Sequence, residues 1–461
     1  MSEINDLTRG SVGKGVWSMA IPLITASFIQ MAYSLTDMFW VGHLGSESVA
    51  AVGAAAFFLW LCNALSLTCK VGVEVSVSQS LGARQPTRAR VYANQASLLA
   101  GVIACAYAVA VWIASARLIS IFHLAPAISA DSSAYLRATV PALFFMFNNN
   151  IFTGIYNGQG NSRTPVKILS VGFICNIVFD PLFIYGWGYI PPLGTTGAAV
   201  ATVLSQGVVF AIFIYKLYIK RSALGKLRLA SRWRPRFIRR VAALGLPVSL
   251  QNALFAIFSL TLATLAARWG HVGIAVQSIG AQVEALTWMT AAGFSTALAA
   301  FVGQNFGARD PRRVRQGYRY TLKLSAGISL VATLAFLLLG RQIFGLFVRE
   351  PATIAAGSDY LAILALSQLF CAFESVTAGA FNGWGKTIPP SVTGILLTAA
   401  RVPLAYYLVS FPFFGLNGIW WSITISSILK GIVLVAWYGR FQKNASRRLL
   451  ARPLPRVSAE K

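Results

Sequence analysis

The segment LGARQP at residues 81–86 returns as FGARDP at residues 306–311, shifted by 225 positions. The same shift relates SLTD at 34–37 to SLTL at 259–262, NGQG at 157–160 to NGWG at 382–385, and Pro22 to Pro247. Gly42-His43 matches Gly270-His271 at a slightly larger shift. Matches that keep their order over most of a chain indicate an internal duplication, so we predict two homologous halves.

The composition is that of a membrane protein. Of the 461 residues, 56% are hydrophobic and only 11% are charged, which is more apolar surface than a soluble core can bury. Apolar segments of about 20 residues, each long enough to cross roughly 30 Å of hydrocarbon, recur along both halves. Lipid offers the backbone no hydrogen-bond partner, so each segment must be helical. We therefore predict an all-α integral membrane protein with twelve transmembrane helices in two homologous six-helix bundles.

The net charge of +26 follows the membrane topology. Of the 39 Lys and Arg residues, 31 lie in or next to the termini and the loops after spans 2, 4, 6, 8 and 10, and five lie on the opposite side. This bias predicts a multi-pass membrane protein with both termini in the cytoplasm. It also accounts for the positive charge without a nucleic-acid partner, although the basic stretch 216–240 could touch anionic lipid headgroups.

The duplication also predicts how the chain is divided. We expect an N-lobe at 1–215, a basic cytoplasmic linker at 216–240, a C-lobe at 241–440 and a basic tail at 441–461. Because each half has six spans, both halves enter the membrane from the same side, and such a pair can enclose a cleft and open it alternately to either side. Two lobes in one chain suffice for this, so we expect a monomer.

No enzymatic or ATP-binding motif is present in the sequence. It has no P-loop, no HExxH and no strand-associated GxGxxG, so no cofactor is expected. The five cysteines fall inside predicted spans and match no metal motif. A membrane acyl or glycosyl transferase would need a catalytic His/Asp set at the membrane surface, but the three histidines are scattered.

Five of the 13 acidic residues lie well inside predicted spans, namely Asp37, Glu74, Asp180, Glu284 and Glu374. A charge at the centre of a lone transmembrane helix costs about 2.5–3.5 kcal/mol on insertion scales, so such residues are candidates for function. Glu74 lies one helical turn from Lys70, which predicts an internal ion pair.

Asp37 and Asp180 form the most specific candidate site. The repeat places Leu262 at the position of Asp37 and, through the match of Pro181 with Pro403, Val402 at the position of Asp180, so the fold requires neither acid. Asn176 precedes Asp180 by four residues and shares its helix face, and Thr202 on the next span could face the pair. Carboxylate, amide and hydroxyl oxygens suit either a proton or a hard cation such as Na⁺.

The remaining candidates concern substrate binding and helix bending. Glu284 and Glu374 could bind a cationic substrate or form a second ion site, together with Asn149 and Asn150; alternatively, the acids pair with Arg401 and Lys430. Pro22 lies fifteen residues before Asp37, about 22 Å along the helix, and could kink it when the acid changes state.

These segments resemble the multidrug and toxic compound extrusion (MATE) family from about residue 10 to 440. The resemblance is carried by SLTDMFWVGHLG at 34–45, the run 79–84, NGQGNSRTP at 157–165, NIVFDPLFIY at 176–185 and VGQNFGA at 302–308. The acids of spans 1 and 5 look like those of the DinF-like prokaryotic branch, which implies a location in the bacterial plasma (inner) membrane. The resemblance implies a V-shaped fold, cation coupling at Asp37, Asn176, Asp180 and Thr202, and export of cationic or amphipathic drugs or toxins by antiport with H⁺ or Na⁺.

Two readings of function follow. The first is this cation-coupled multidrug exporter working by alternating access. The second is a flippase for lipid-linked substrates from the same superfamily, which would need a strongly cationic cleft, whereas the N-lobe spans carry acids and few bases.

Overall fold

The computed structural model describes residues 4–189, 191–220, 224–228 and 231–451. Its long elements are all α-helices, which confirms the predicted fold class. The twelve helices are α1 Val12–Gly42, α2 Ser46–Gly82, α3 Pro86–Ser120, α4 Pro126–Gly158, α5 Arg163–Ile184, α6 Gly194–Ile214, α7 Pro235–Ala266, α8 Gly270–Gly307, α9 Pro311–Gly345, α10 Pro351–Gly383, α11 Ile388–Val409 and α12 Asn417–Ala451. A π-helical turn at Tyr215–Ile219 extends α6, and a 3₁₀ turn at Ala267–Trp269 joins α7 to α8.

Most of these helices are long and apolar enough to cross a membrane. In the described part of the chain, ten helical stretches meet that condition. The number is below twelve because α7 and α8 form one continuous stretch, Pro235–Gly307, and α4 does not meet it. Helix α4 carries three successive asparagines at 148–150, which lower its hydropathy.

The duplication is visible in the backbone. Helices α3, α4 and α5 begin and end 225 residues before α9, α10 and α11. Left-handed backbone conformations recur at the same shift: Arg84 and Arg309 have φ of 57° and 60°, and Gly160 and Gly385 have φ of 76° and 71°. Proline begins α3, α4, α9 and α10, where its missing N–H leaves no helical hydrogen bond unmade.

Two details of the repeat alignment need correction. Gly45 and Gly270 both have positive φ immediately before or at the start of their helices, so the shift there is 225 and the match of Gly42 with Gly270 is wrong. The bounds of α5 and α11 likewise pair Asp180 with Ala405, not with Val402. A sequence match through a single proline could not show this, because Pro181 and Pro403 lie at different depths of their helices.

In each half, the beginning of the first helix packs into a hydrophobic cluster of the other half. Val16, Met19 and Ala20 of α1 pack in one cluster with Phe294 and Phe301 of α8. In the reciprocal arrangement, Val241 of α7 belongs to the core cluster of the first half. The segments before these helices cross over in the same way: Leu7 N–H donates to Gln304 Oε1 at 2.9 Å, and Arg234 N–H donates to Gln95 Oε1 at 2.7 Å.

The halves meet at one end of the bundle, which we call the terminal side because α1 begins and α12 ends there. In α1, the buried residues are Val16, Met19, Ala20, Leu23 and Val41, so none falls between positions 24 and 40. In α7, none falls between 250 and 261. By contrast, α2 is buried continuously over 72–80 and α8 over 297–305, near their terminal-side ends. The halves are therefore closed on the terminal side and diverge toward the opposite side.

The predicted lobe boundaries stay a prediction. The structure begins α7 at Pro235, inside the predicted linker 216–240, and continues α12 to Ala451, inside the predicted tail. Residues 221–223 and 229–230 of the linker and 452–461 of the tail lie outside the described residues.

Candidate functional site

A buried polar site lies where α1, α5 and α6 meet in the first half. Asn176 Nδ2 donates to Asp180 Oδ1 at 2.9 Å, and both residues are fully buried. Their four-residue spacing on α5 puts the two side chains on one helix face. Asp37 enters from α1, and its carboxyl interacts electrostatically with that of Asp180. The structure therefore brings these three predicted side chains together, and Thr202 of α6 is buried beside them.

Five oxygens of this site interact with one another at longer range but have no hydrogen-bond partner within 3.5 Å. They are Tyr33 OH, Asp37 Oδ1, Asn176 Oδ1, Asp180 Oδ2 and Thr202 Oγ1, all buried. Each buried polar atom without a partner costs about 1–3 kcal/mol, so binding of a proton or cation by these oxygens would recover free energy. The donor chemistry fits a proton or a hard cation, because two carboxylates provide charge and the neutral oxygens complete a shell. The described residues include no group of three or more His, Cys, Asp or Glu that could hold a metal ion, so a cation here would depend on these neutral oxygens.

Sequence reasoning missed two tyrosines of this site. Tyr33 interacts with Asp37, Asp180 and Thr202. It precedes Asp37 by four residues, so the same-face rule that linked Asn176 to Asp180 would have found it. Tyr135 of α4 is buried and interacts with both carboxylates, but no spacing in the sequence links it to them.

The equivalent positions in the second half carry a different chemistry. At a shift of 225, Asp37 corresponds to Leu262, Asp180 to Ala405, and Asn176 to Arg401. All three of these second-half residues are buried. The guanidinium of Arg401 donates from Nε to Ser426 Oγ at 2.8 Å and from Nη2 to Ser427 Oγ at 3.1 Å. The second half therefore holds a fixed cation at the position of the first-half amide and lacks its acids.

The second-half residue that corresponds to Thr202 follows from a separate local alignment. Gly194 and Gly415, with φ of 56° and 47°, come just before or at the starts of α6 and α12, which gives a local shift of 221. At that shift Thr202 corresponds to Ile423, which is buried and apolar. The loss of oxygen ligands in the second half therefore extends to the fourth position.

The two acids of the second half differ in their surroundings. Glu374 forms an ion pair with Lys430, with 3.0 Å between Oε2 and Nζ, so the alternative of charge pairing holds for this acid. Glu284 accepts a long hydrogen bond of 3.4 Å from Tyr360 OH. Arg401 contributes a Coulombic interaction to Glu284, but the described residues show no ion pair between them within 4.0 Å.

Asn149 and Asn150 do not join these acids. Asn149 Nδ2 donates to the backbone and side-chain oxygens of Gln206 at 3.2 and 3.1 Å. Asn150 Nδ2 donates to Asn63 Oδ1 at 2.8 Å and Ser66 Oγ at 3.0 Å. Both asparagines hold α4 to neighbouring helices of the first half, whereas the partners of Glu284 and Glu374 are in the second. In the repeat, Asn149 occupies the position that Glu374 holds in the second half, 225 residues later.

The expected ion pair between Lys70 and Glu74 is not formed. The ion pairs of the described residues join Asp6 with Arg9, His271 with Glu350, and Glu374 with Lys430. Lys70 and Glu74 share a helix face and interact at longer range, but their long side chains do not close to 4.0 Å. Four-residue spacing permits such a pair without enforcing it.

Pro22 lies inside the continuous helix α1, at the edge of the interface between the halves. Close by, Ser162 Oγ at the start of α5 donates to the carbonyl of Met19 at 3.0 Å. The structure therefore holds this part of α1 against α5, and a kink coupled to Asp37 stays a prediction.

Comparison with known proteins gives a consistent result. The family model described as MatE matches the chain twice, at residues 22–182 and 247–407, with the same 225-residue shift. The probable multidrug resistance protein NorM of Thermotoga maritima is 26% identical over 446 residues, covering 94% of each chain. The DNA damage-inducible protein F of Escherichia coli is 26% identical over 453 residues, covering 95% of this chain and 94% of that one.

Among solved structures, a MOP superfamily transporter from Pyrococcus furiosus superposes with a TM-score of 0.89. It is 27% identical, and the match covers 97% of this chain and 99% of that one. Its published description assigns it a binding pocket of reverse polarity and suggests a different function. Since the family model matches more than half of the residues, in two copies that coincide with the observed repeat, this chain belongs to the MatE family and is a membrane transporter, not an enzyme.

Proposed function

We propose that this chain is a secondary active multidrug efflux transporter, which exports cationic or amphipathic small molecules by antiport with H⁺ or Na⁺ through alternating access. The observation that carries the proposal is the set of five buried, unpartnered oxygens around Asp37 and Asp180. Relatives named for multidrug resistance support the substrate class.

The site is suited to coupling because its two carboxylates share one buried location. Two unneutralised carboxylates in such a place repel each other and are poorly solvated, so binding of a cation or proton stabilises them. The site also lies between α1 and the α5–α6 pair, so occupancy can change how α1 packs. A ligand shifts a conformational equilibrium only by its difference in affinity for the two states, and contacts made from two elements can supply that difference.

The direction of opening fits export. The halves are closed on the terminal side and diverge on the other, and the positive-inside bias predicts that the terminal side is cytoplasmic. In this state the coupling cation reaches the site from outside, and its binding favours outward release of substrate. Net inward movement of one positive charge then gains about 2.3 kcal/mol per 100 mV of membrane potential.

The flippase alternative rests on the second half. Arg401 is buried, and the described residues show no carboxylate within ion-pair distance of its guanidinium. A buried cation of this kind suits the phosphate of a lipid-linked substrate. It competes with the efflux proposal only if the cleft recognises anions, so the charge preference of transport distinguishes the two.

Purified protein in proteoliposomes provides the test. Efflux of a fluorescent cationic drug is followed under an imposed pH gradient and, separately, under a Na⁺ gradient. We expect one gradient to drive transport in the wild type, and Asp37→Asn to abolish the response while the protein stays folded. Asp131→Asn is the matched control, because Asp131 is an exposed aspartate of the same half.

Either of two results would contradict the proposal. One is full gradient-driven transport by Asp37→Asn. The other is no cation-drug transport under either gradient by folded wild type, together with translocation of a fluorescent polyprenyl-phosphate lipid, which would establish the flippase.

A further inference from the structure

A groove on the second half lies away from the coupling site and beside the interface between the halves. It has a volume of about 920 Å³ on the terminal side, between the C-terminal half of α12 and the ends of α8 and α10. Its lining is mainly apolar and aromatic, with two cations; the residues argued below are Trp384, Lys386, Ile432, Val433, Trp437 and Arg440.

The chemistry of the groove changes along α12 as it does along a phospholipid. Ile432 and Val433 come first and are 51% and 43% exposed, so they face outward from the bundle. Trp437 follows one turn later, 42% exposed, and tryptophan is the residue enriched at the level of lipid headgroups. Arg440 lies one further turn toward the terminal side, about 12 Å from Ile432 along the helix. Apolar, aromatic and cationic side chains therefore succeed one another in the order acyl chain, interface and headgroup.

Two cationic side chains line the groove toward the terminal side. Lys386, in the loop after α10, and Arg440, from α12, both line the groove and are exposed. Neither side chain belongs to an ion pair or to a side-chain hydrogen bond found among the described residues, and no acid lines the groove. Two cations without a neighbouring acid, beside an apolar groove, are suited to a ligand with one anionic group and long apolar chains.

The repeat does not account for the chemistry of the groove. At the shift of 225, Trp384 corresponds to Gln159 and Lys386 to Asn161, so the first half lacks the aromatic ring and the cation. Trp384 is held in place: its Nε1 donates to Tyr438 OH at 3.2 Å, and its ring packs edge-on against Phe441. The wall of the groove is thus fixed before any ligand arrives.

We propose that this groove binds one anionic phospholipid of the membrane leaflet on the terminal side, with the phosphate between Lys386 and Arg440 and an acyl chain along Ile432 and Val433. The basic tail that follows α12 is a poor alternative occupant, because its Arg452, Arg456 and Lys461 would be repelled by the same two cations.

Binding is measured on the full-length protein by native mass spectrometry with added phosphatidylglycerol, phosphatidylethanolamine or glycerol phosphate. We expect the wild type to retain phosphatidylglycerol, and the double variant Lys386→Gln/Arg440→Gln to retain roughly tenfold less. Lys443→Gln/Arg447→Gln removes the same charge from exposed positions of α12 outside the groove, and it should bind as the wild type does. Retention of glycerol phosphate alone, equal retention of phosphatidylethanolamine, or equal losses in both double variants would overturn the proposal.

A second measurement locates the acyl chain. Phosphatidylglycerol with brominated chains should quench tryptophan fluorescence, and Trp437→Phe should remove a distinct part of that quenching. This variant keeps both cations, so it also serves if the charge variants fold poorly. Quenching that is the same in Trp437→Phe and in the wild type would place the chain elsewhere and contradict the proposed pose.

Discussion

Gln79 of the first half donates from Nε2 to the carbonyl of Gly383 in the second half at 2.9 Å. The bond is reciprocated, because Gln304, 225 residues later, reaches back to the carbonyl of Gly158 at 3.5 Å. Each amide oxygen is also occupied: Arg240 Nη2 donates to Gln79 Oε1 and Leu7 N–H to Gln304 Oε1, both at 2.9 Å. A pair of equivalent glutamines thus holds the halves together on the terminal side.

Replacing both glutamines should favour the state that is open on the terminal side. Each buried hydrogen bond contributes about 0.5–1.5 kcal/mol net, so Gln79→Leu/Gln304→Leu should shift the equilibrium by about tenfold or more. Spin labels placed on the terminal side of each half would report a longer distance in the variant. Gln342→Leu, at an exposed position of α9, is the control and should leave the distance unchanged. An unchanged distance in the double variant would show that the glutamines do not hold this side closed.

Close backbone contact offers a steric test of the same interface. A Cβ added at Gly82 would meet the backbone carbonyl of Gln304 far inside van der Waals contact, and one at Gly307 would meet that of Gln79. Gly82→Val should therefore prevent closure of the terminal side and slow the step that carries the drug outward by roughly tenfold or more. Gly101→Val is the matched control, because a Cβ there has nothing within 4 Å. Normal turnover with Gly82→Val would require the halves to meet differently in the working protein.

The next prediction concerns Tyr33, one of the two coupling-site tyrosines that were not predicted from the sequence. Tyr33→Phe removes one of the five unpartnered oxygens and leaves the ring in place. If the site holds Na⁺, loss of one ligand should raise the Na⁺ concentration for half-maximal transport by roughly tenfold, with little change in drug affinity. Tyr185→Phe is the control: its hydroxyl donates to the carbonyl of Trp40 near the outer end of α1, away from the carboxylates. An equal effect of Tyr33→Phe and Tyr185→Phe would show that Tyr33 is not a ligand of the cation.

Variants of the ion pair between Glu374 and Lys430 test whether Glu374 has a structural role or binds substrate. Lys430→Met leaves a largely buried carboxylate without its partner, and breaking such a pair costs about 3–5 kcal/mol. We expect a clear fall in melting temperature for Lys430→Met and recovery in Glu374→Gln/Lys430→Met. If the double variant also transports drug normally, Glu374 is structural. If adding Glu374→Gln to Lys430→Met did not restore the melting temperature, Lys430 would stabilise the protein mainly through contacts other than this ion pair.

The sequence supported the fold and the first-half site because both leave local signals. The 225-residue repeat, the apolar segments and the four-residue spacing of Asn176 and Asp180 can each be read along the chain. What could not be read were contacts set by tertiary packing. Tyr135 approaches the acids from another helix, Lys70 and Glu74 fail to close despite favourable spacing, and Asn149 and Asn150 bond within the first half. The match of Pro181 with Pro403 gave the wrong equivalent for Asp180. For the same reason, the correspondence between Asn176 and Arg401 was not predicted from the sequence.

That correspondence leads to the last prediction. The second half shows that this helix position accommodates a buried arginine, whose guanidinium is held there by serine hydroxyls. Asn176→Arg would place a fixed cation beside Asp37 and Asp180, where we propose that the exchangeable cation binds. The fixed charge permanently compensates one of the two carboxylates and competes with the exchangeable cation for the other. The protein should therefore fold and retain drug binding, but its transport should no longer respond to a pH or Na⁺ gradient.

The readout is gradient-driven efflux together with thermal stability as a function of Na⁺ concentration and pH. In the wild type, binding of the coupling cation to the folded state should raise the melting temperature, and in Asn176→Arg this dependence should vanish. Asn176→Ala is the control, because it removes the amide without supplying a charge and should weaken the dependence but not abolish it. If Asn176→Arg remained folded and coupled, the acids of the first half could not be the site of cation exchange, and Glu284 would become the carboxylate to test next.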